Sequence, residues 1–289
     1  MRISLILATI GRAEDVGQFV IALIRQTCRD FELIVVDQNL DDRLLPYIED
    51  ALQAGLDVSH LRLKKPSLAG ARNLGIAHAR GDFIGFPDDD CWYENDTIAT
   101  VLAAIEGNAG WQGVIARWVE QSQTDRSDPG TGLLSQSDWR RFRGGNASSI
   151  TLFLNRELFV QLGGFDERMG VGQWYGAGEE TDFVLRAISA GAVIGRWPAA
   201  RVHHLYWARV TERPGLTWRA VQCRARGTGA LYIKHRLSMS TIIRGLLAPP
   251  LVALRSGLGV KGLSFAFALC IGRLQGALKW LLTERSTKS

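Results

Sequence analysis

The sequence has 289 residues, of which 46% are hydrophobic and 22% charged, and these proportions exclude a disordered chain, a fibrous repeat and a small disulfide-stapled domain. Its charge is unevenly distributed: residues 201–289 hold 15 basic and two acidic side chains, whereas the first 200 residues hold 19 basic and 27 acidic ones. A formal charge of −8 followed by one of +13 predicts a basic C-terminal appendage with an anionic partner.

Strands and helices alternate through the first 90 residues. Short apolar runs predict buried strands, and apolar residues spaced three and four apart predict helices. The alternation is typical of an α/β fold with a mostly parallel sheet flanked by helices, in which ligands bind at the carboxyl ends of the strands. The predicted strands lie at residues 3–8, 31–36, 61–63 and 83–86, and the predicted helices at 15–27, 44–54 and 68–79.

The second half of the chain is less regular. Polar and glycine-rich sequence predicts a long loop at about 120–145 and a shorter one at 170–178. We place the boundary between an α/β domain, residues 1–212, and a C-terminal amphipathic helical region, residues 213–289, where the sequence becomes basic. The other predicted elements are strands at 150–154, 192–196 and 201–204, and helices at 156–162, 179–190, 218–236, 241–256 and 263–283.

Three adjacent carboxylates, Asp88, Asp89 and Asp90, directly follow the strand at 83–86. Like charges this close are tolerated only if a cation or hydrogen-bond donors neutralise them. An Asp-x-Asp pair suits a hard cation, Mg²⁺ or Mn²⁺, that is shared with phosphate oxygens. The alternative interpretation is a solvated acidic turn.

Two further residues are candidates for nucleotide contacts. Asp37 ends the second strand, where dinucleotide-binding folds place a carboxylate for a ribose, but the first strand–helix turn lacks the G-x-G-x-x-G loop of those folds. Arg72 lies near the start of the helix that precedes the three aspartates and could bind a diphosphate. Taken alone, Arg72 is more simply explained as an exposed arginine on a helix.

A second acidic group, Glu179, Glu180 and Asp182, begins a predicted helix. Carboxylates in a first helical turn are common because they complement the helix dipole. The loop before them carries four glycines and Trp174, a composition that suits an element closing over a substrate. These residues are therefore candidates for chemistry as well as for helix stabilisation.

Two histidines, His203 and His204, follow a short extended segment. Such pairs are more often structural than ligands. Near an Asp-x-Asp site, however, one of them becomes a credible metal ligand.

Four segments in order resemble glycosyltransferase family 2, whose members have the GT-A nucleotide-sugar fold. The resemblance covers about residues 1–205, and its second segment is specific by itself. The segments are LATIGR at 7–12 with IVVD at 34–37, LAGARNLGIA at 68–77 with GDFIGFPDDDCW at 81–92, GGFDE at 163–167, and GEETDF at 178–183 with His204 further on.

The resemblance implies a GT-A catalytic domain over residues 1–212 that transfers a sugar from a UDP- or GDP-type nucleotide-diphosphate donor with inversion. Mn²⁺ or Mg²⁺ would be held by Asp88, Asp90 and His204, and would stabilise the leaving diphosphate. Asp37 would accept a hydrogen bond from the nucleobase. The implied nucleotide-sugar-binding residues are Thr9, Arg12, Asp37, Arg72, Asp88 and Asp89.

The resemblance also implies the groups that act on the acceptor. Within the segment GEETDF at 178–183, Glu180 matches the position of the general base and Asp182 that of the later acid. The resemblance does not decide between Glu180 and its neighbours Glu179 and Asp182 as the base. A glutamate in a partly open cleft is expected to be ionised at neutral pH. The implied acceptor-side residues are Phe165, Asp166 and Trp174.

The sequence departs from the family pattern at three places. The base position is usually aspartate but is Glu180 here, and the first loop has Ile10 and Gly11 where Tyr-Asn is common. The Gln-x-x-Arg-Trp signature of processive synthases is absent. We therefore expect transfer of a single sugar to a saccharide or lipid-linked acceptor, in surface polysaccharide or glycolipid synthesis.

The helices after residue 213 interleave apolar and basic residues. They predict interfacial helices on an anionic membrane, at the inner face of the plasma membrane, with packing against the core or a dimer partner as the alternative. We expect no spanning helix, because charges interrupt every long apolar stretch, no signal peptide, and a cytoplasmic location. No motif indicates binding to nucleic acid.

Two other functions are compatible with a sheet of this kind. A sugar-phosphate nucleotidyltransferase would want a first loop rich in glycine and lysine, which residues 9–13 do not supply. A non-catalytic nucleotide-sugar binding module would lack the metal or base carboxylates, and both sets are present here.

Overall fold

The structure is a computed structural model, and it describes residues 2–124, 130–135, 148–205 and 215–286. Much of the loop predicted at 120–145 lies outside these residues. The strands are β1 (Ile3–Thr9), β2 (Phe31–Asp37), β3 (Val58–Arg62), β4 (Phe83–Gly85), β5 (Cys91–Tyr93), β6 (Gly113–Trp118), β7 (Gly132–Leu133), β8 (Leu152–Asn155) and β9 (Ile194–His204). The helices are α1 (Glu14–Ile24), α2 (Leu45–Gln53), α3 (Leu68–His78), α4 (Thr97–Glu106), α5 (Val119–Thr124), α6 (Arg156–Leu162), α7 (Glu179–Ser189), α8 (Trp218–Lys234), α9 (Met239–Arg255) and α10 (Gly259–Ser286).

The described strands form one sheet in the order β3-β2-β1-β4-β8-β6-β9-β5, and β7 pairs with β9. Strands β3, β2, β1 and β4 run parallel, and β8 runs antiparallel to both of its neighbours. The predicted fold class, a mostly parallel sheet flanked by helices in the manner of a GT-A fold, is confirmed. The carboxyl ends of β1, β2 and β4 meet at one edge, which we call the strand-end edge.

Alternate side chains of β1 enter two separate hydrophobic cores. Leu5 and Leu7 pack with α1 and α4 on one face of the sheet. Ile6 packs with α3 and α7 on the other face. β1 is buried on both faces, which explains its uninterrupted apolar sequence.

The pattern-based prediction omits β5, α4 and β6. The apolar residues of α4 do have helical spacing, so the signal for this helix was present: they are Ile98, Val101, Leu102 and Ile105. β5 has only three residues, too few for a periodic pattern to appear.

The two extended segments predicted at 192–196 and 201–204 are one strand, β9, which passes through Pro198. Pro198 lies where the register between β6 and β9 shifts, after the Ile115–Arg196 pair. Strands tolerate proline at such irregularities because the missing N–H is not needed for the ladder. The single strand matters for function because it ends at His204, beside β5.

The C-terminal helices are packed against the α/β domain through α8. The N–H of Gly176 donates to the carbonyl of Cys223 on α8 at 3.2 Å. A Cβ at Gly227 of α8 would overlap the carbonyl oxygen of Ala177, so only glycine permits this approach. α10 packs along α8, and α9 packs along α10.

One described helix, Gly259–Thr283 within α10, is long and apolar enough to cross a membrane. Charges do interrupt α10, at Lys261, Arg273 and Lys279, as expected, but the helix remains apolar enough overall to be a candidate span by length and composition. However, 33% of the most apolar 18-residue stretch of this helix is buried against the rest of the chain. The helix is therefore a packed element on one side and an apolar surface on the other.

Candidate active site

The strand-end edge collects polar residues from three neighbouring strands. Thr9 ends β1 and is the register partner of Asp37, which ends β2. Asp88 follows β4, which pairs with the other side of β1. The expectation that acidic groups converge at this edge is confirmed.

Two side chains from the first strand–helix turn hold Asp89. Thr9 donates from Oγ1 to Asp89 Oδ2 at 2.7 Å, and Arg12 donates from Nη1 to Asp89 Oδ1 at 2.8 Å. Arg12 also forms an ion pair with Asp90. Because these carboxylates are bound by protein donors, the alternative of a solvated acidic turn is wrong.

Asp88, Asp90 and His204 form a group that could hold a metal ion. Each offers one ligand atom, and the three atoms lie within 4.8 Å of one another. His204 reaches Asp90 because β5 and β9 pair antiparallel with Cys91 opposite His204. Two carboxylates and an imidazole fit Mn²⁺ or Mg²⁺ in ligand type.

The orientation of His204 suits metal binding. Its Nδ1 lies 2.7 Å from the carbonyl oxygen of Leu205, to which Nδ1–H donates, and its Nε2 lies 2.9 Å from Asp90 Oδ1. The contact between His204 and Asp90 raises the pKa of His204, although burial opposes this. The same contact, together with Arg12, lowers the pKa of Asp90, again against the effect of burial. A divalent cation would replace the proton shared by this pair.

His203, the other candidate, faces away from this group. Its Nδ1 lies 2.7 Å from Glu120 Oε1 and its Nε2 3.1 Å from Glu94 Oε1, and its ring stacks on Trp92. Alternation along β9 separates the two histidines. His204 is therefore the histidine on the metal side, as predicted.

Arg72 is the residue for which the simpler sequence interpretation, an exposed arginine, is wrong. Its side chain is only 2% exposed. Nη2 lies 3.1 Å from Asp88 Oδ1, and Nη1 lies 3.0 Å from Glu179 Oε1. Arg72 therefore joins the aspartates after β4 to the first turn of α7.

Glu180 lies in the first turn of α7, after Gly178, which adopts a left-handed φ of 99° as the N-cap. Oε2 of Glu180 is buried and has no hydrogen-bond partner among the described residues. Burial, together with the neighbouring Glu179 carboxylate, raises the pKa of Glu180 to about 8. Burial of this side chain therefore opposes the ionisation that we expected for a glutamate in a partly open cleft.

Asp182, predicted as a catalytic acid, is enclosed by two cationic side chains and a histidine. Its carboxylate lies 2.9 Å from Arg186 Nε, 2.8 Å from Lys234 Nζ and 2.9 Å from His235 Nε2. Although burial opposes it, His235 and Lys234 lower the pKa of Asp182. This arrangement favours a positioning role, in which Asp182 fastens α7 to the end of α8. No local pattern identified Lys234 and His235, which lie some 50 residues further along the chain.

Asp37 is buried and already bonded within the protein. Oδ1 accepts from the backbone and side-chain nitrogens of Asn39, both at 2.8 Å, and Oδ2 lies 3.0 Å from His60 Nε2. Any contact of this carboxylate with a nucleobase would need one of these partners to move. Asn39 and His60 are site residues that the sequence analysis did not identify.

The three predicted acceptor-side residues have different surroundings. Phe165 is a core side chain packed against Phe86 and Phe183. Asp166 is bonded to Arg168 and Lys234, which lower its pKa although burial opposes the shift. Trp174 is the most exposed of the three.

Trp174 lies beneath two cations of the C-terminal helices. Lys279 Nζ is 4.0 Å from the centre of the indole ring, and the Arg226 guanidinium is 4.5 Å from it. The glycine-rich loop is therefore in contact with α8 and α10, close to the start of α7.

Comparisons with known proteins agree with this architecture. The family model for glycosyl transferase family 2 matches residues 4–153. The chain is 32% identical over 87 residues to the uncharacterised glycosyltransferase EpsJ of Bacillus subtilis, a segment that is 30% of this chain and 25% of EpsJ. The chain thus spans about a quarter of the length of this curated relative.

Two solved structures share the fold. The mannosyltransferase PcManGT of Pyrobaculum calidifontis, in complex with GDP-Man and Mn²⁺, has a TM-score of 0.65 and 16% identity, with 98% of this chain and 87% of that one covered. Staphylococcus aureus TarS 1–349, in complex with UDP-GlcNAc, has a TM-score of 0.59 and 15% identity, with 98% and 92% covered. Since the family model covers more than half of the residues, this chain belongs to glycosyl transferase family 2.

Proposed function

We propose that this protein is an inverting glycosyltransferase that moves a single sugar from a nucleotide-diphosphate sugar to a hydroxyl of a saccharide or lipid-linked acceptor, in surface polysaccharide or glycolipid synthesis. The observation that carries the proposal is the double contact of Arg72. It binds Asp88 of the metal group through one nitrogen and Glu179, next to Glu180, through another. The cation ligands and the candidate base therefore belong to one site.

The donor class rests on the same edge and on the relatives. PcManGT was solved with GDP-Man and Mn²⁺ and TarS with UDP-GlcNAc, which supports a GDP- or UDP-linked sugar here. Arg12 and Arg72 lie against the aspartates and bring guanidinium groups to the place where a diphosphate would lie. Thr9 holds Asp89 in position.

The cofactor would be Mn²⁺ or Mg²⁺, held by Asp88, Asp90 and His204. When bound, the cation supplies Lewis-acid stabilisation of the negative charge on the departing nucleoside diphosphate. The chain's own part is to present these ligands together and to balance Asp88 with Arg72.

Glu180 would act as the general base. Its unpartnered Oε2 would accept the proton of the acceptor hydroxyl as that oxygen forms a bond to the anomeric carbon. The bond from the anomeric carbon to the diphosphate oxygen breaks on the opposite side, so the configuration inverts. A raised pKa makes the Glu180 carboxylate a stronger base than an ordinary glutamate, at the cost of a smaller ionised fraction at pH 7.

The donor-binding part of the proposal is tested by thermal unfolding with UDP-GlcNAc and with GDP-mannose, each with and without Mn²⁺. A donor that binds only the folded state raises its stability, by about 2.7 kcal/mol at a hundredfold excess over Kd. We expect stabilisation that requires both the donor and Mn²⁺ and that disappears in Asp90→Ala.

The matched control is Asp50→Ala, because Asp50 is exposed on α2, outside the site. This variant should keep the full donor-dependent shift. If no nucleotide sugar stabilises the wild type with Mn²⁺, or if Asp90→Ala keeps the shift, the proposed donor and metal site is wrong.

A further inference from the structure

The helices α9 and α10 each carry a row of exposed apolar side chains, which we call the apolar stripes. Their members recur at intervals of three, four or, between Val260 and Phe267, seven residues, a spacing that places them on one face of a helix. The helices are neighbours, since Cys270 Sγ on α10 donates to the carbonyl of Leu246 on α9 at 2.9 Å. The stripe of α9 is Met239, Ile243, Leu247, Leu251 and Leu254, and that of α10 is Val260, Phe267, Ile271, Leu274, Leu278 and Leu282.

The opposite face of α10 is occupied by protein. A Cβ at Gly276 would overlap the carbonyl oxygen of Arg226, and one at Gly272 that of Gln222, so α10 touches the backbone of α8. Trp280 is only 1% exposed and packs with Tyr175 of the glycine-rich loop. Although α10 is apolar enough to cross a bilayer, crossing would require separating it from α8 and from this loop.

The charge around the stripes has one sign. Residues 215–283 include ten lysines and arginines and no aspartate or glutamate. Arg244 and Arg255 on α9 and Lys261 and Lys279 on α10 are exposed. An apolar face bordered by basic side chains is the pattern of a helix that lies in the interface of an anionic bilayer.

We propose that the apolar stripes of α9 and α10 dock on an anionic lipid surface, so that the enzyme works as a peripheral protein at the inner face of the plasma membrane. The apolar side chains enter the boundary between headgroups and acyl chains, and the basic side chains contact phosphate groups. α10 stays packed on α8 and does not span the bilayer. This proposal does not depend on the donor or on the base assigned above.

Charge favours lipid over a second copy of the chain as the occupant. A twofold dimer buries the same patch of both protomers against itself. Here it would bring two sets of basic side chains together with no acidic residue between 215 and 283 to pair with them. An anionic bilayer offers a counter-charge to the exposed ones, such as Arg244, Arg255 and Lys261.

The test is flotation of the full-length protein with vesicles of phosphatidylcholine alone and of phosphatidylcholine mixed with phosphatidylglycerol. The variant is the double substitution Leu247→Glu and Leu278→Glu, at side chains 58% and 60% exposed. The control is Val160→Glu on α6, where valine is 72% exposed and lies outside the stripes. We expect the wild type and the control to float with the anionic vesicles, and the double variant to partition roughly tenfold less or weaker still.

Three outcomes would overturn the proposal. They are failure of the wild type to float with anionic vesicles, flotation of the double variant equal to that of the wild type, and equal binding to neutral and anionic vesicles. Light scattering identifies the competing occupant, because a wild-type dimer that the double variant converts to a monomer would assign the stripes to a second copy. Donor-dependent thermal stabilisation should be the same in all variants, which separates this test from that of the transferase site and shows that the variants are folded.

Discussion

The strand-end edge and the C-terminal helices use charge in opposite ways. At the edge, the aspartates after β4 are bound by Thr9, Arg12, Arg72 and His204 within the chain. Between residues 215 and 283 there is no acidic residue, so the basic side chains there have no acidic partner within that segment. Lys234 pairs instead with Asp182 of the α/β domain, and exposed side chains such as Arg244 can meet an outside anion.

The difference shows what each region is prepared to bind. Opposed charges held at fixed positions form a preorganised site, in which a cation and a diphosphate can replace internal partners with little movement. An excess of one charge beside an apolar face provides no such geometry, but it suits a fluid surface of opposite charge. The end of α8 links the two regions, because Lys234 and His235 hold helix α7 through Asp182.

The largest effect is expected at Glu180. Glu180→Gln keeps the shape of the side chain but cannot accept the acceptor proton, so the transfer rate should fall by a factor of about 10² to 10⁴. Donor-dependent thermal stabilisation should remain, because Glu180 has no part in the metal group. The rate is measured as release of nucleoside diphosphate in the presence of acceptor, with Glu157→Gln on the exposed surface of α6 as the control.

The pH profile distinguishes a base from a structural glutamate. A base must be deprotonated, and the pKa of Glu180 is raised to about 8. The wild-type rate should therefore rise about tenfold per pH unit below that value and level off above it, whereas the residual rate of Glu180→Gln should lack this rise. If Glu180→Gln loses donor binding, or if its rate has the same pH dependence as the wild type, Glu180 has a structural role and is not the base.

A large effect on the free energy of unfolding is expected at Arg72. Arg72→Met leaves Asp88 and Glu179 without the guanidinium that balances them, and breaking a buried ion pair in this way costs about 3–5 kcal/mol. Chemical denaturation measures the free energy of unfolding. Arg43→Met, which removes an exposed pair with Asp41, should change it little, and equal effects of the two substitutions would contradict the bridging role.

The strand-end edge was predictable because its signals are local. Apolar runs that end at Thr9, Asp37 and Asp88 define both the strands and the direction in which their ends point. The predicted metal ligands, including His204, are brought together in the structure. His204 was predicted as a ligand from the family resemblance. Periodicity could not predict it, because His204 approaches Asp90 only through the pairing of β5 with β9, which are more than 100 residues apart.

Burial and partner choice could not be predicted in the same way. An arginine in the first half of a helix is usually exposed, but Arg72 is enclosed by Glu179 of α7 and by the rings of Phe86 and Phe165, which are distant in sequence. The raised pKa of Glu180 likewise depends on burial that the sequence does not display. In the C-terminal region the helices were predicted from the spacing of apolar residues. The role of Gly272 and Gly276, which is to let α8 approach α10 closely, is visible only in the folded structure.

The smallest effect is expected at the contact between α8 and α10. Alanine is a better helix former than glycine by about 1 kcal/mol, so Gly276→Ala would stabilise an isolated helix. In the folded protein its Cβ would overlap the carbonyl oxygen of Arg226, and overpacking of this kind costs about 1–3 kcal/mol. We expect a net decrease in the free energy of unfolding, measured by denaturation in the absence of lipid.

The control for this prediction is Gly110→Ala, because a Cβ there meets nothing within 4 Å. It should leave stability unchanged or slightly higher. If Gly276→Ala is as stable as this control, α10 is not held tightly against α8. The contrast between a strand-end edge with fixed internal partners and a C-terminal region that stays packed on the protein would then fail.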